Sequence, residues 1–253
     1  VIVHPTQNGW QIIYHRAHAL LAAQIAGHWR RKDAPPRLYE TIAAISHHDD
    51  LAKEWESDNL TEAGTPKDFL MDEGKSYDPL RKHIEQALYR GHWVALLNSM
   101  HQTHLNAGKR GTSAEADAFL DEQLEYQKRW LKEVEASEDD AASAYAFMQW
   151  CDRLSLILCQ HKLPMDERAL EISKGPDGQR YDVIQHSSGL VTVTPWCFEE
   201  DRFTVTVEAT SLSQVTFDDN ESLVEALKHG PRKRLEWTFV KESPEAMQEN
   251  PLS

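Results

Sequence analysis

Three scarcities narrow the possibilities before any motif is considered. Cysteine is the first: Cys151, Cys159 and Cys197 are the only three in 253 residues. Cys151 and Cys159 fall in one predicted helix, at a separation of about 12 Å along its axis. A disulfide needs alpha carbons within about 7 Å, and no Cys-x-x-Cys pair offers a zinc site. Free, buried thiols in a reducing compartment are the expectation. Long apolar runs are the second scarcity, since none approaches the roughly 20 residues of a membrane span. The start, Val1-Ile2-Val3-His4-Pro5, also lacks the basic-then-apolar layout of a secretion signal. Positive charge is the third. Net charge is −14 with histidine neutral, and the one dense basic cluster is Arg232-Lys233-Arg234. A duplex-binding surface needs more clustered Lys and Arg than that. These absences exclude nucleic acid and membrane as expected partners and predict a soluble, cytoplasmic protein. They leave oligomeric state unread.

What is present is ordinary in bulk: 40% hydrophobic and 27% charged residues, as in globular chains. Histidine is the exception, at 13 residues. Val1 to Val3 and Trp10 to Tyr14 read as a hairpin around Gln7-Asn8-Gly9. From His15 the period becomes helical, with His18, Ala22, Ile25 and Trp29 on one face. Pro35-Pro36 breaks the chain before a second helix, where Leu38, Ile42, Ile45 and His48-Asp49 form one stripe. Residues 51–80 are polar and predict a long ordered loop or lid. Helix is expected again from about Leu80 through Leu105, over Ala114 to Glu135, and from Asp139-Asp140 to about His161. Beyond Pro164 the texture is β, notably at Arg180 to His186, Leu190 to Thr194, Phe203 to Thr210 and Leu235 to Lys241.

The pattern therefore predicts a mainly α fold: a helical bundle with an additional small antiparallel β-sheet from the C-terminal segment, which the N-terminal hairpin can join. The expected division is residues 1–163, helical with the hairpin, and residues 164–253, a small β-rich region packed on it.

Chemistry is concentrated where polar residues interrupt faces that should be buried. His18, His48-Asp49, His101 with His104, and Asp152 each sit on such a face. A single buried histidine is usually a satisfied core residue. Four helices each bringing a His or Asp inward are harder to dismiss. An unpaired buried carboxylate costs several kcal/mol, so Asp49 and Asp152 need cations, donors or protons. One divalent metal satisfies imidazoles and carboxylates together. Mixed nitrogen and oxygen donors suit manganese, iron or zinc, and histidine makes magnesium less natural.

The order His18, then His48-Asp49, then a distant Asp152 resembles the HD superfamily of metal-dependent phosphohydrolases. The segments HRAHALLAAQIAGHW, ISHHDDLAKEW, GTPKDF, LLNSMHQTHL and WCDRLSL resemble more closely one branch, catalogued as domain of unknown function 3891. The likeness covers roughly residues 10–160 and, more weakly, the β tail. The chain departs from that branch in having Leu51-Ala52 after His48-Asp49-Asp50, where Gly-Trp is usual, and reaches its first following tryptophan at Trp55. His47 beside His48 leaves the ligand assignment open by one residue, and adjacency to Asp49 favours His48.

The resemblance implies an HD-like bundle and a metal bound by His18, His48, Asp49, Asp152 and His101. It implies hydrolysis of a small, phosphorylated molecule, the metal polarising a phosphoryl oxygen and lowering the pKa of water. Asp49 would ligate or bridge, and His101 would ligate a second ion or protonate the leaving group, with His104 its competitor. Lys53, Arg81, Lys82 and Arg153 are candidates for holding substrate charge, though each is more often a solvated surface residue. Two other classes stay open: a non-catalytic metal- or ligand-binding module, and a diiron oxygenase of the HD type.

Overall fold

The computed structural model describes residues 1–51, 53–71 and 76–242. The hairpin is formed by β1 (Ile2–Thr6) and β2 (Gly9–Ile13). Gly9 is required at its turn, because a β-carbon there would lie 2.0 Å from the carbonyl oxygen of Leu212 on the neighbouring strand. Six helices follow: α1 (His15–Gly27), α2 (Leu38–His47), α3 (Asp78–Ala87), α4 (His92–Asn106), α5 (Ala114–Glu133) and α6 (Glu138–Cys159). The sequence pattern ran α3 and α4 together. Gly91, at φ +119°, separates them, a conformation that a residue with a side chain rarely adopts. Ser137 and Asp140 form a reciprocal cap at the start of α6, so the acidic pair there serves the helix end. In the predicted 51–80 loop, residues 52 and 72–75 lie outside the described residues. The rest is tied down by side chains, as where the Asp68 carboxylate accepts from the backbone N–H of Val3 at 2.9 Å.

The β portion corrects the expected fold class. The chain is 47% helical and 21% strand, and a seven-stranded curled half-barrel sheet is a major element, so neither "mainly α" nor "small sheet" describes it. Strands β3 (Leu170–Lys174), β4 (Arg180–Gln185), β5 (Val191–Thr194), β6 (Arg202–Leu212) and β7 (Arg232–Val240) are ordered with the hairpin as β1-β2-β6-β7-β5-β4-β3. Nor is pairing wholly antiparallel, since β5 meets β7 in parallel at Val191 and Phe239. The physical reason for the shortfall is that sheet size depends on pairing between remote segments, which local alternation does not report. Trp10 to Ile12 of β2 pair with Thr210 to Leu212 of β6, and Arg202 to Thr210 pair with Arg232 to Val240. Helix α7 (Asn220–His229) links β6 to β7 and is capped by Asp219.

Helices and sheet share one core. Helix α1 packs on α2, α6 and β6, and α2 packs on α4 and α6. Trp29, just past α1, sits edge-on to Phe147 and Trp150 of α6 and also meets Tyr181 of β4 and Phe198. The three cysteines are free and buried. Among the described residues no helix is long and apolar enough to cross a membrane.

Candidate metal centre

Helix α1 turns a broad face of His18, Leu21, Ala22 and Ile25 toward the interior, which carries His18 inward with the apolar residues beside it. Its Nε2 lies 2.7 Å from Oδ2 of Asp49, and its Nδ1 lies 2.9 Å from Oγ of Ser155. The Ser155 hydroxyl donates to the carbonyl of Asp152 at 2.8 Å, so its oxygen accepts, and the Nδ1–H of His18 donates. His48 follows α2 with helical dihedrals, φ −59° and ψ −26°. Its Nδ1 thereby reaches back to donate to the carbonyl of Ile45 at 2.6 Å. Its Nε2 lies 3.2 Å from Oδ1 of Asp152 and 3.7 Å from Oδ2 of Asp49.

Both rings are thus fixed through the nitrogen remote from the site, with Nε2 presented to two carboxylates. That is the arrangement in which protein histidines are oriented for metals. Two groups of potential ligands result, His18-His48-Asp49 and His48-His101-Asp152, and the ligand atoms within each lie within 4.8 Å of one another. The imidazoles are buried, at 0% and 1% side-chain exposure for His18 and His48. The carboxylates are 29% and 17% exposed, so access is from the Asp49 side.

The electrostatics fit a cation. Burial disfavours a charged His48, yet Asp49 and Asp152 outweigh it and hold the pKa up at about 10. Burial raises the Asp49 and Asp152 carboxyls, but His48 beside them and the histidine hydrogen bonds bring both below the usual range. His101 is buried, its Nδ1 has no hydrogen-bond partner, and burial with the charge of His48 pushes its pKa down to about 4. That nitrogen is left without a partner, as are His47 Nε2 and His83 Nδ1, but of the three only His101 also lies within a group of potential ligands. Two imidazoles, a third beside them and two carboxylates are a chemically suitable set for manganese, iron or zinc.

Other predicted positions fall elsewhere. His47 Nδ1 pairs with Oδ2 of Asp50 at 2.5 Å, and its ring stacks on His83 at 4.6 Å, so it belongs to neither ligand group. His104 is exposed and lies against Tyr145. Lys53 pairs with Glu56 at 2.6 Å and Arg81 with Glu122 at 2.7 Å, while Lys82 and Arg153 are exposed. Two contributors had no role assigned from sequence. Ser155, three residues after Asp152 and so on the same helix face, sets the His18 tautomer. Arg16 donates to the Asp50 carbonyl at 2.7 Å and steadies the turn carrying Asp49.

Ser155→Ala should weaken metal affinity about 10- to 100-fold, as loss of a ligand's orienting partner does. Competition with a chromophoric chelator measures it, and unchanged affinity would remove Ser155 from the site. Stability of the metal-free protein should also depend on pH in a defined way. His83 and His101 both have folded values near 4, His83 through burial and then the charge of His47. Unfolded, they bind protons below about 6.5. Their contribution is therefore full above that pH and lost as pH falls toward 4. His48 works in the opposite sense, its contribution fading as pH rises through about 10. Urea midpoints measured with chelator present should be greatest between those limits, and a midpoint that is flat from pH 7 to 4 would contradict the assignment.

Residues 1–214 match the model of a family described as protein of unknown function, DUF3891, and the chain belongs to that family. No curated protein and no solved structure matches it. The matched stretch holds every ligand candidate and ends just after β6, leaving α7 and β7 outside.

Proposed function

We propose that this DUF3891 protein is a metal-dependent hydrolase of small phosphoesters, with His18, His48, Asp49 and Asp152 holding the cation. The observation that carries the reading is the convergence of two Nε2 atoms, each ring locked from its far side, on two carboxylates. The HD-like order of His, His-Asp and distant Asp supports it. The three buried free thiols are compatible with a reducing, cytoplasmic setting.

When bound, a divalent cation supplies polarisation of a phosphoryl oxygen and a lowered pKa for water. Asp49, the more exposed carboxylate, orients water at the mouth of the site and accepts its proton. His101 is neutral at pH 7 and serves as an additional ligand or proton acceptor rather than as an acid. The two ligand groups share His48, whose Nδ1 is engaged with Ile45, so one free nitrogen serves both. Sharing that nitrogen, the two groups make up a single centre around one ion, and a two-iron oxygenase would need ligands beyond them.

Turnover of p-nitrophenyl phosphate and nucleoside monophosphates tests the proposal, with the wild type loaded in turn with manganese, iron(II) and zinc beside Asp49→Ala. Metal-dependent turnover confined to the wild type is expected. Equal rates in both proteins would contradict catalysis and leave a metal-binding module.

A further inference from the structure

Helix α1 has a second functional face. While His18 points inward, Arg16, Ala17, Leu20 and Gln24 point outward and line two adjoining clefts of about 500 and 420 Å³ that share Ala17 and Leu20. Arg16 and Gln24 mark its ends along the helix, about 12 Å apart. One end of the groove is aromatic. Trp55 is 51% exposed, donates through Nε1 to the Tyr14 hydroxyl at 3.1 Å, and stands edge-on to the Tyr14 ring. Leu20, 58% exposed, lies on the floor. The other end is the basic start of β7, where Lys233 and Arg234 have no ion-pair partner among the described residues. Arg232 joins the ends, its guanidinium 5.5 Å over the Tyr14 ring, and Lys228 sits 5.9 Å over Trp55.

This cation cluster is anomalous on a chain of net charge −14. Five cations line the two clefts, Arg16, Lys53, Arg232, Lys233 and Arg234, against three acids, Glu54, Glu56 and Glu208, of which Glu56 pairs with Lys53 and Glu208 with Arg232. Positive potential is therefore local to the groove, and it attracts anions that the rest of the surface repels. The volume suits a small ligand. A peptide added as a strand does not fit, because β6 beneath the groove is already paired on both sides, by β2 and β7.

We propose that this groove binds a small molecule with a planar ring at one end and an anionic group at the other, the chemistry of a nucleoside diphosphate. The ring stacks on Trp55 above Leu20, and the anion meets Lys233 and Arg234. The site is separate from the metal centre and does not depend on the hydrolase reading.

ADP titrated by calorimetry, with chelator present throughout, tests it without a contribution from metal. Saturable binding is expected, weakened about tenfold or more in Trp55→Ala and in Lys233→Ala/Arg234→Ala, and unchanged in Asp49→Ala. Adenosine and inorganic pyrophosphate should each bind more weakly than ADP. All the substituted groove side chains are exposed, so unchanged melting will show that the variants fold. Absence of saturable ADP binding at millimolar concentration would overturn the proposal. So would binding insensitive to the groove variants, binding lost in Asp49→Ala, or pyrophosphate binding as tightly as ADP.

Discussion

Replacing His48 by alanine should lower transition-metal affinity by at least about 100-fold, whereas His47→Ala should leave it within a few-fold of wild type. His48 is the residue common to both ligand groups, and its Nε2 lies between Asp49 and Asp152. Loss of an orienting partner alone costs about 10- to 100-fold, so loss of a ligand sets a higher floor. His47, one residue earlier, pairs instead with Asp50, which Arg16 and Arg90 also approach, and its ring lies against His83. The contrast between neighbours makes the measurement sharp. A chelator competition in which both variants bind alike would show that the convergence of Nε2 atoms is not what holds an ion.

Trp29→Ala should destabilise the fold by about 3–5 kcal/mol, the range for deleting a large aromatic from a packed core. Trp29 is 1% exposed and its ring touches Phe147 and Trp150 from α6, Tyr181 from β4, and Phe198. It also donates through Nε1 to the Asp33 carbonyl at 3.2 Å. Removing it opens a void where helices and sheet meet, so both should loosen together. A chain of this size loses about 2–4 °C in Tm per kcal/mol, which predicts a fall of about 10 °C. Trp55→Ala, at an exposed ring, is the control. A Trp29→Ala variant melting like the wild type would mean that helices and sheet do not share this core.

Helices were legible where an apolar face recurred over several turns. Helix α6 is the clearest case, with Ala144, Met148, Cys151 and Ser155 buried at helical spacing around Asp152. The sheet was less legible for reasons particular to its strands. Strand β3 buries only Ile172 of its five residues and shows little alternation. Strands β6 and β7 were recognisable as strands and the hairpin was expected to be able to join the sheet, but that it does so by pairing β2 with β6 was not legible, because register between remote segments leaves no local signal. At the site, periodicity put His18 and Asp152 on inward faces one at a time. That they meet depends on the packing of α1 against α2 and α6, which periodicity does not contain. Ser155 carried a readable clue in its spacing from Asp152, whereas the grip of Arg16 on Asp50 links a helix to a distant turn and carried none.

The most direct measurement is the metal content of the purified protein by elemental analysis, beside Asp49→Ala prepared identically. The account predicts about one equivalent of manganese, iron or zinc in the wild type, retained on gel filtration, and a large loss from the variant. A wild type that carries no such metal, and takes none up when stripped and reloaded, would contradict it.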